Sequence, residues 1–275
     1  MELKSTEFEV DEKGVATIWL SRPNRMNAWT GRMHTEYRHL LAVVERDSEI
    51  RAVIVTGRGR GFCVGGDSKA LQGHVEKGGY DSGTKEGLEE PGFGVSADFD
   101  ASFSYHYGLS KPVVAAINGP VAGVGLALAC FADIRFSVPN IKLTTAHGKL
   151  NLPAEYGLSW LLPRLIGLGR ANDLLLTSRV FDSEEALEIG LLNNIFEACD
   201  LIEETRKYLH RMIKTVAPNS LRQTRWQIYK DLHRSVASSV VESERLLEIM
   251  MLEQDYKEGV ASFVDKREPE WPSLS

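Results

Sequence analysis

The sequence contains two glycine-rich turns, GFCVGGD at residues 61–67 and NGPVAGVG at residues 118–125. Each turn follows a short apolar run typical of a β-strand, at residues 52–56 and 113–117, and each leads into a stretch of helical character. Because glycine has no Cβ atom, its backbone can lie close to a ligand and can adopt conformations that other residues cannot. The first amides of a helix lack intrahelical acceptors and attract negative charge. Two such turns side by side would point two amides at one site, an arrangement that stabilises an oxyanion.

Composition and charge exclude several classes of protein. The chain has 275 residues and a net charge of −6, which argues against binding to nucleic acid. Cys63, Cys130 and Cys199 are far apart and odd in number, so neither a disulfide framework nor a metal site is expected. Residues 1–10 are acidic and polar, unlike a signal peptide. The most apolar stretch, residues 113–134, is interrupted by a turn and is too short to span a membrane. A cytoplasmic globular protein is predicted.

The apolar periodicity predicts an α/β fold. Strands are predicted at residues 15–20, 52–56, 113–117 and 132–137. A helix is predicted at residues 30–47, with Thr30 as its N-cap. The apolar side chains that recur at helical spacing within it are Met33, Tyr37, Leu40, Leu41 and Val44. Because strands alternate with helices, crossover connections and mainly parallel strand pairing are expected.

Two regions depart from this alternation. Residues 72–100 are rich in glycine and acidic side chains and show no sustained periodicity, so we expect a mobile surface insertion there. From residue 183 onward the pattern is helical almost throughout. We therefore divide the chain into a core at residues 1–200 and a helical C-terminal region at residues 201–275.

A dinucleotide-binding fingerprint is the main rival interpretation of the second glycine turn. Gly123 and Gly125 match its first two glycines, but Leu128 stands where a third small residue is needed. The next acidic residue, Asp133, comes too early to contact a ribose. The sequence therefore disfavours nucleotide binding.

Four further motifs accompany the two glycine turns. They are SRPNRMNA at residues 21–28, LPRLIG at 162–167, a segment at 186–193 and a segment at 258–267. In this order the six motifs resemble the crotonase (enoyl-CoA hydratase/isomerase) superfamily, over nearly the whole chain. The resemblance implies a spiral of β-β-α turns with a helical C-terminal region that forms subunit contacts and helps to close the CoA site. It also implies an acyl-CoA thioester as substrate, no separate cofactor, and a homotrimer or a dimer of trimers.

The chemistry implied by this resemblance needs two amide donors. Removing a proton next to a thioester makes an enolate whose charge lies on the thioester oxygen. Two preorganised N–H groups stabilise that charge more than they stabilise the neutral carbonyl. The register of the motifs places these donors at Gly66 and Val124. The alternative is that the two turns are only tight connections in a packed sheet.

The resemblance also implies contacts to coenzyme A. Residues 24–26 and 64–68 match segments that hold pantetheine and adenine, and two C-terminal residues match those near the adenine end, in some members from a neighbouring subunit. A lysine near phosphates acts as a point charge, although a solvated charge at a helix end is the simpler interpretation of Lys266. The residues named on this basis are Asn24, Arg25, Met26, Val64, Asp67, Ser68, Phe263 and Lys266.

The acid–base residues depart from those of the hydratases. Hydratases resemble one another in having two glutamates that hold and activate water, and an ungapped register places Ala127 and His147 at those positions. Glu155 instead matches the position of the acid in many isomerase-type members. One carboxylate can take a proton from one carbon and return it to another, and an apolar pocket would raise its pKa toward neutrality. We therefore predict double-bond isomerisation by Glu155 in preference to hydration, with a surface-loop acid as the alternative.

Several alternatives remain open at this point. His147 fits a second acid or base, a residue that orients Glu155, or a core histidine. With Glu155 it would activate water in a hydrolase of the same fold, and a CoA-binding or assembly protein without activity is a further interpretation. An acyl-pocket lining or, more commonly, core packing is expected for Tyr105, His106, Tyr107 and Trp160. Core or subunit contacts are expected for Trp226, Met250 and Met251.

Overall fold

A mainly parallel sheet forms the centre of the structure, a computed structural model that describes residues 1–78, 99 and 101–272. In chain order the described strands are β1 (Thr6–Val10), β2 (Val15–Leu20), β3 (Ala52–Gly57), β4 (Val113–Ile117), β5 (Val121–Ala122), β6 (Ile134–Ser137), β7 (Lys142–Thr144), β8 (Val180–Asp182) and β9 (Asn194–Ile195). The main sheet has the order β1-β2-β3-β4-β6-β9, and only the β1–β2 pair in it is antiparallel. Strands β5, β7 and β8 form a second, small sheet.

Helices connect the parallel strands and make up most of the chain after residue 200. In chain order the described α-helices are α1 (Gly31–Arg46), α2 (Ser68–Lys77), α3 (Val124–Phe131), α4 (Leu158–Ile166), α5 (Leu168–Thr177), α6 (Ser183–Glu188), α7 (Leu201–Thr215), α8 (Pro218–Asp231), α9 (Val236–Met250) and α10 (Gln254–Asp265). This alternation confirms the predicted α/β class. No helix within the described ranges is long and apolar enough to cross a membrane.

The central strands are buried on both faces, which explains their continuous apolar sequences. Every residue of β3 and β4 is buried. The predicted bounds of β2 and β4 are confirmed, whereas β6 begins two residues later than predicted, because Ala132 caps α3 and Asp133 donates its amide to Val113. Strand β1, a partly exposed edge strand that contains two glutamates, and the two-residue β9 are not predicted. The three short strands of the second sheet, β5, β7 and β8, are not predicted either.

Helix α1 matches its prediction closely. The hydroxyl of Thr30 accepts a hydrogen bond from the amide of Met33 (3.2 Å), which is the expected N-cap contact. The helix ends at Arg46, one residue before the predicted end, with Asp47 as C-cap. The five apolar side chains predicted for its inner face are all buried in the core. This packing fixes the first turn of α1 beside the glycine turns.

The two regions singled out by their composition differ in outcome. Residues 72–77, expected to begin an irregular insertion, belong to α2. The remainder of the predicted mobile insertion lies almost entirely outside the described residues, apart from Phe99, which is buried. In the C-terminal region, α7 packs against the main sheet, with Leu209 fully buried. Helix α9 buries none of its residues against this chain.

Candidate active site

The two glycine turns lie directly against each other. The amide of Ala122 donates a hydrogen bond to the carbonyl of Cys63 (3.0 Å). A Cβ atom on Gly125 would lie 2.2 Å from the carbonyl oxygen of Cys63, and one on Gly119 would lie 2.1 Å from that of Arg60. Only glycine permits this close approach, because any side chain at either position would overlap backbone atoms. The predicted juxtaposition of the two turns is confirmed.

The amides of Gly66 and Val124 point away from the protein's own hydrogen-bond ladders. The amide of Trp29 donates to the carbonyl of Gly65 (2.8 Å), and the carbonyl of Trp29 accepts from the amide of Asp67 (2.9 Å). These two hydrogen bonds flank Gly66 in a parallel bridge, so the N–H of Gly66 itself points away from Trp29. Val124 is the first residue of α3, so its N–H has no intrahelical acceptor. Both residues line one cavity of about 220 Å³.

The same cavity brings together elements that are far apart in the sequence. One wall is the start of α1, from Trp29 to His34, and the glycine turns form its floor. The opposite segment, residues 146–156, contributes two short 3₁₀-helices, His147–Leu150 and Glu155–Gly157. Ala146 (φ 59°) and Tyr156 (φ 50°) flank the site in the left-handed region, which is uncommon for residues other than glycine. Such backbone often accompanies functional sites.

Glu155 and His147 both line the cavity, beside Gly66 and Val124. Burial raises the pKa of Glu155, and the nearby His147 partly offsets this by lowering the pKa of that carboxyl. His147 is only 7% exposed, and its buried Nδ1 atom has no hydrogen-bond partner in the described part of the chain. The structure therefore groups all four residues that were predicted to be catalytic. Ala127, by contrast, is fully buried within α3 and does not line the cavity.

Part of the predicted CoA-binding set lies next to this cavity. Asn24 and Arg25 are exposed on a short 3₁₀ turn, and the carbonyl of Met26 accepts a hydrogen bond from the amide of Val64 (3.3 Å). Val64 lines the cavity, so this turn adjoins its rim. Ser68 is exposed at the first position of α2. These five residues therefore border the site from one side.

Asp67 has a different environment from the one expected for a CoA contact. Its carboxylate forms an ion pair with Arg22 (2.9 Å) and accepts a hydrogen bond from the amide of Lys69 (3.0 Å). The residue is buried, and these contacts hold the start of α2 against the 21–28 turn. The sequence did not reveal this, because the charged partner lies 45 residues earlier in the chain. The Asp67 side chain therefore stabilises the rim instead of facing solvent.

Phe263 and Lys266 lie in and just after α10 and do not line the cavity of their own chain. Phe263 is 84% exposed and borders a separate apolar groove between α9 and α10, together with Met250 and Met251. Trp226 instead donates a hydrogen bond to the carbonyl of Leu109 (3.0 Å), which attaches α8 to the core. Within one chain, the C-terminal residues and the cavity are not brought together.

The aromatic residues before β4 pack in the core. His106 is fully buried: its Nε2 accepts from the hydroxyl of Tyr37 (2.6 Å), and its Nδ1–H donates to the carbonyl of Phe103. Burial lowers the pKa of His106 to about 4. Trp160 stacks on His233 and does not line the cavity either. The core alternative is therefore confirmed for Tyr105, His106 and Tyr107.

Residues 10–273 match the family model described as enoyl-CoA hydratase/isomerase. The chain belongs to this family. It is 32% identical to 1,2-epoxyphenylacetyl-CoA isomerase of Escherichia coli K12, over 94% of this chain and 95% of that protein. It is 29% identical to the short-chain-enoyl-CoA hydratase of Clostridium acetobutylicum, over 98% of both chains. A crystal structure of enoyl-CoA hydratase from Bacillus anthracis superposes with a TM-score of 0.84 at 25% identity, covering 98% of this chain and 100% of that one.

Membership in the enoyl-CoA hydratase/isomerase family confirms the predicted crotonase-type fold. The protein is an enzyme of this family acting on acyl-CoA, so the interpretation as a CoA-binding protein without activity does not apply. Several residues that line the cavity are not predicted as site residues from the sequence, among them His34 and Tyr156. His34 falls on the inner face of α1, where the apolar periodicity predicts core packing and gives no sign of a cavity.

Proposed function

We propose that this enzyme moves a carbon–carbon double bond along an acyl-CoA chain, with Glu155 as the proton carrier. The supporting observation is that Glu155 is the only acidic residue among the described residues that line the cavity, which also contains Gly66 and Val124. Its raised pKa suits a group that must accept a proton and then release it.

The proposed reaction begins with the thioester carbonyl oxygen between the amides of Gly66 and Val124. The Glu155 carboxylate takes a proton from C2 of a 3-enoyl thioester, and the electron pair of that C–H bond moves onto the thioester oxygen. The two N–H groups and the N-terminal end of α3 stabilise the resulting dienolate. The protonated Glu155 then delivers its proton to C4 while the carbonyl re-forms. The product is a 2-enoyl thioester, and no atom is gained or lost.

Hydration is disfavoured by the residues at the two positions where hydratases carry glutamates. The ungapped motif register aligns the first of these positions with Ala127, which is fully buried within α3 and has no polar side chain to hold water. The same register aligns the second position with His147. A water molecule would therefore lose both carboxylates that hold it in the hydratases. One carboxylate is sufficient for proton transfer between carbons, whereas the addition of water needs a second polar group to position the nucleophile.

A second candidate is hydrolysis in the same cavity. The observation in its favour is that the buried Nδ1 of His147 has no partner among the described residues, whereas a buried nitrogen of this kind normally has one. A water molecule between His147 and Glu155 would attack a carbonyl carbon, and the products would contain the atoms of one additional water. Mass spectrometry of the products separates this reaction from isomerisation, which leaves the mass unchanged.

The proposed assembly is a homotrimer or a dimer of trimers. None of the residues of α9 is buried against the described part of the chain, and large apolar side chains are exposed along α9, α10 and the turn between them. The most exposed of them are Val236, Val241, Leu252, Phe263 and Val264. Apolar surfaces of this extent normally mark subunit contacts. Phe263 and Lys266 would then approach the CoA of a neighbouring subunit, which accounts for their distance from the cavity of their own chain. Sedimentation velocity at micromolar concentration should show a trimer or hexamer, and a monomer would contradict the assembly.

The test of the proposed function compares two reactions of matched chain length. Crotonyl-CoA reports hydration and 3-butenoyl-CoA reports double-bond migration, both measured by chromatography of the CoA esters. We expect migration to be much faster than hydration. Hydration at a comparable rate would show that His147 and Glu155 together replace the two glutamates. If neither four-carbon ester reacts, the same two measurements on six- and eight-carbon 2- and 3-enoyl esters decide between migration and hydration.

A further inference from the structure

His34 is a polar residue in the wall of a cavity whose other side-chain contacts are largely apolar. It lies in the first turns of α1, on the same side of the cavity as Trp29. Its ring stands edge-on to Trp29 (centroid distance 6.0 Å) and to Phe103 (5.6 Å). These two contacts restrict the ring orientation. Around it, the cavity is lined by Trp29, Val64, Leu71, Leu150, Leu152 and Tyr156.

The imidazole of His34 is neutral at physiological pH and is without a described hydrogen-bond partner. Burial, reinforced by the positive charge of Arg38, lowers the pKa of His34 to about 4. A neutral imidazole has one N–H donor and one acceptor nitrogen. No described residue forms a hydrogen bond to either nitrogen, although the residue is only 5% exposed. The hydroxyl of Thr30, on the same wall, accepts a hydrogen bond from the amide of Met33 as the N-cap of α1.

An acyl group that enters the cavity displaces the water that otherwise solvates this imidazole. A purely hydrocarbon chain would leave a buried donor and acceptor unpaired, which costs about tenfold in affinity or more. A chain with a suitably placed oxygen atom restores the hydrogen bond and avoids this loss. Sites built to bond a polar substituent discriminate strongly against the analogue that lacks it, because their own polar groups are then left unpaired.

We propose that His34 selects acyl groups that carry a hydroxyl or carbonyl oxygen beyond the reacting carbons, through a hydrogen bond to its neutral imidazole. This inference rests on the proposed function only in placing the acyl chain in the cavity beside Gly66. It does not depend on which residue moves the proton. His34 is therefore a specificity residue, separate from the acid–base group.

The test measures binding without turnover, so that it stands apart from the catalytic proposal. Hexanoyl-CoA, 4-oxohexanoyl-CoA, 5-oxohexanoyl-CoA and 6-hydroxyhexanoyl-CoA are titrated by calorimetry into the Glu155→Gln enzyme. We expect at least one oxygenated ester to bind about tenfold more tightly than hexanoyl-CoA. Adding His34→Phe, which keeps an aromatic ring against Trp29 and Phe103, should abolish this preference, and His34→Gln should restore part of it. His39→Phe, a half-buried position on the same helix that does not line the cavity, is the control and should keep the preference.

Two outcomes would overturn the proposal. One is equal affinity for all four esters, which would show that the cavity does not recognise a polar substituent. The other is a preference that survives His34→Phe but is lost in His147→Gln, which would assign recognition to His147. Failure of the proposed function would be seen separately, as absence of double-bond migration by the wild-type enzyme or as unchanged migration in Glu155→Gln with His34 intact.

Discussion

Replacing Gly125 with alanine should separate the two glycine turns and impair catalysis. The added Cβ would lie 2.2 Å from the carbonyl oxygen of Cys63 and 2.8 Å from its Cβ atom. The obstacle is backbone in a packed core, so the chain must shift to accommodate it. Because α3 begins at Val124, that shift displaces the amide proposed to hold the thioester oxygen.

Two effects set the size of the change. Overpacking a buried site costs about 1–3 kcal/mol in the free energy of unfolding. Losing one oxyanion donor lowers kcat by about 10²–10³-fold. We therefore expect Gly125→Ala to lower kcat for double-bond migration by about 10²-fold or more, with a smaller change in KM, because the donor stabilises the enolate more than the bound substrate.

The assay combines steady-state kinetics on 3-butenoyl-CoA with urea unfolding of the same preparations. Gly169→Ala is the matched control, because a Cβ at Gly169 in α5 has no neighbour within 4 Å. The control should keep its activity and gain up to about 1 kcal/mol in stability from helix propensity. A Gly125→Ala enzyme with wild-type kcat would show that the close contact of Gly125 with Cys63 does not position the amide of Val124 for catalysis.

Single substitutions at His147, His106 and Lys266 test the electrostatics of the site, the cost of burying a histidine and the proposed CoA contact. Since His147 lowers the pKa of Glu155, His147→Gln should move the acidic limb of the kcat/KM–pH profile to higher pH, and an unmoved limb would contradict the coupling. Burial lowers the pKa of His106 to about 4, below its unfolded value of about 6.5, so stability should be full above pH 6.5 and fall by up to about 3 kcal/mol toward pH 4. Between pH 7.5 and pH 5, urea unfolding should show a smaller loss of unfolding free energy in His106→Gln than in the wild type. An equal loss in both proteins would contradict the role of His106. Lys266→Ala should raise KM for CoA esters at unchanged kcat, whereas Lys257→Ala, on the exposed face of α10, should leave KM unchanged. Equal effects of the two substitutions would show that Lys266 makes no specific contact with the CoA phosphates.

Local patterns in the sequence predict those parts of the structure that depend on neighbours in the chain. The Thr30 cap and the inner face of α1 follow from helical spacing, and the strand bounds around the turns follow from apolar runs with both faces buried. The close approach of the turns follows from Gly119 and Gly125, since only glycine removes the Cβ atoms that would overlap. Each of these features is encoded within a few residues.

Features that depend on distant partners are not visible in this way. The ion pair that engages Asp67 joins it to Arg22, and no local pattern links the two. His34 lies on a helical face that periodicity assigns to the core, and only the packing of α1 beside the glycine turns makes that face part of a cavity. The partly exposed β1 lacks a continuous apolar run because one of its faces meets solvent.

The proposed role of Glu155 as the base is tested most directly by the rate at which the C2–H bond of a bound thioester is broken. In D₂O, proton NMR of 3-butenoyl-CoA reports the sum of isomerised product and deuterium incorporated at C2. We expect Glu155→Gln, which keeps the shape of the side chain but removes its basicity, to lower the rate at which this sum increases by at least about 10²-fold. Glu188→Gln, an exposed position on α6, should leave it unchanged. C2–H cleavage at the wild-type rate in Glu155→Gln would show that Glu155 is not the base that removes the proton.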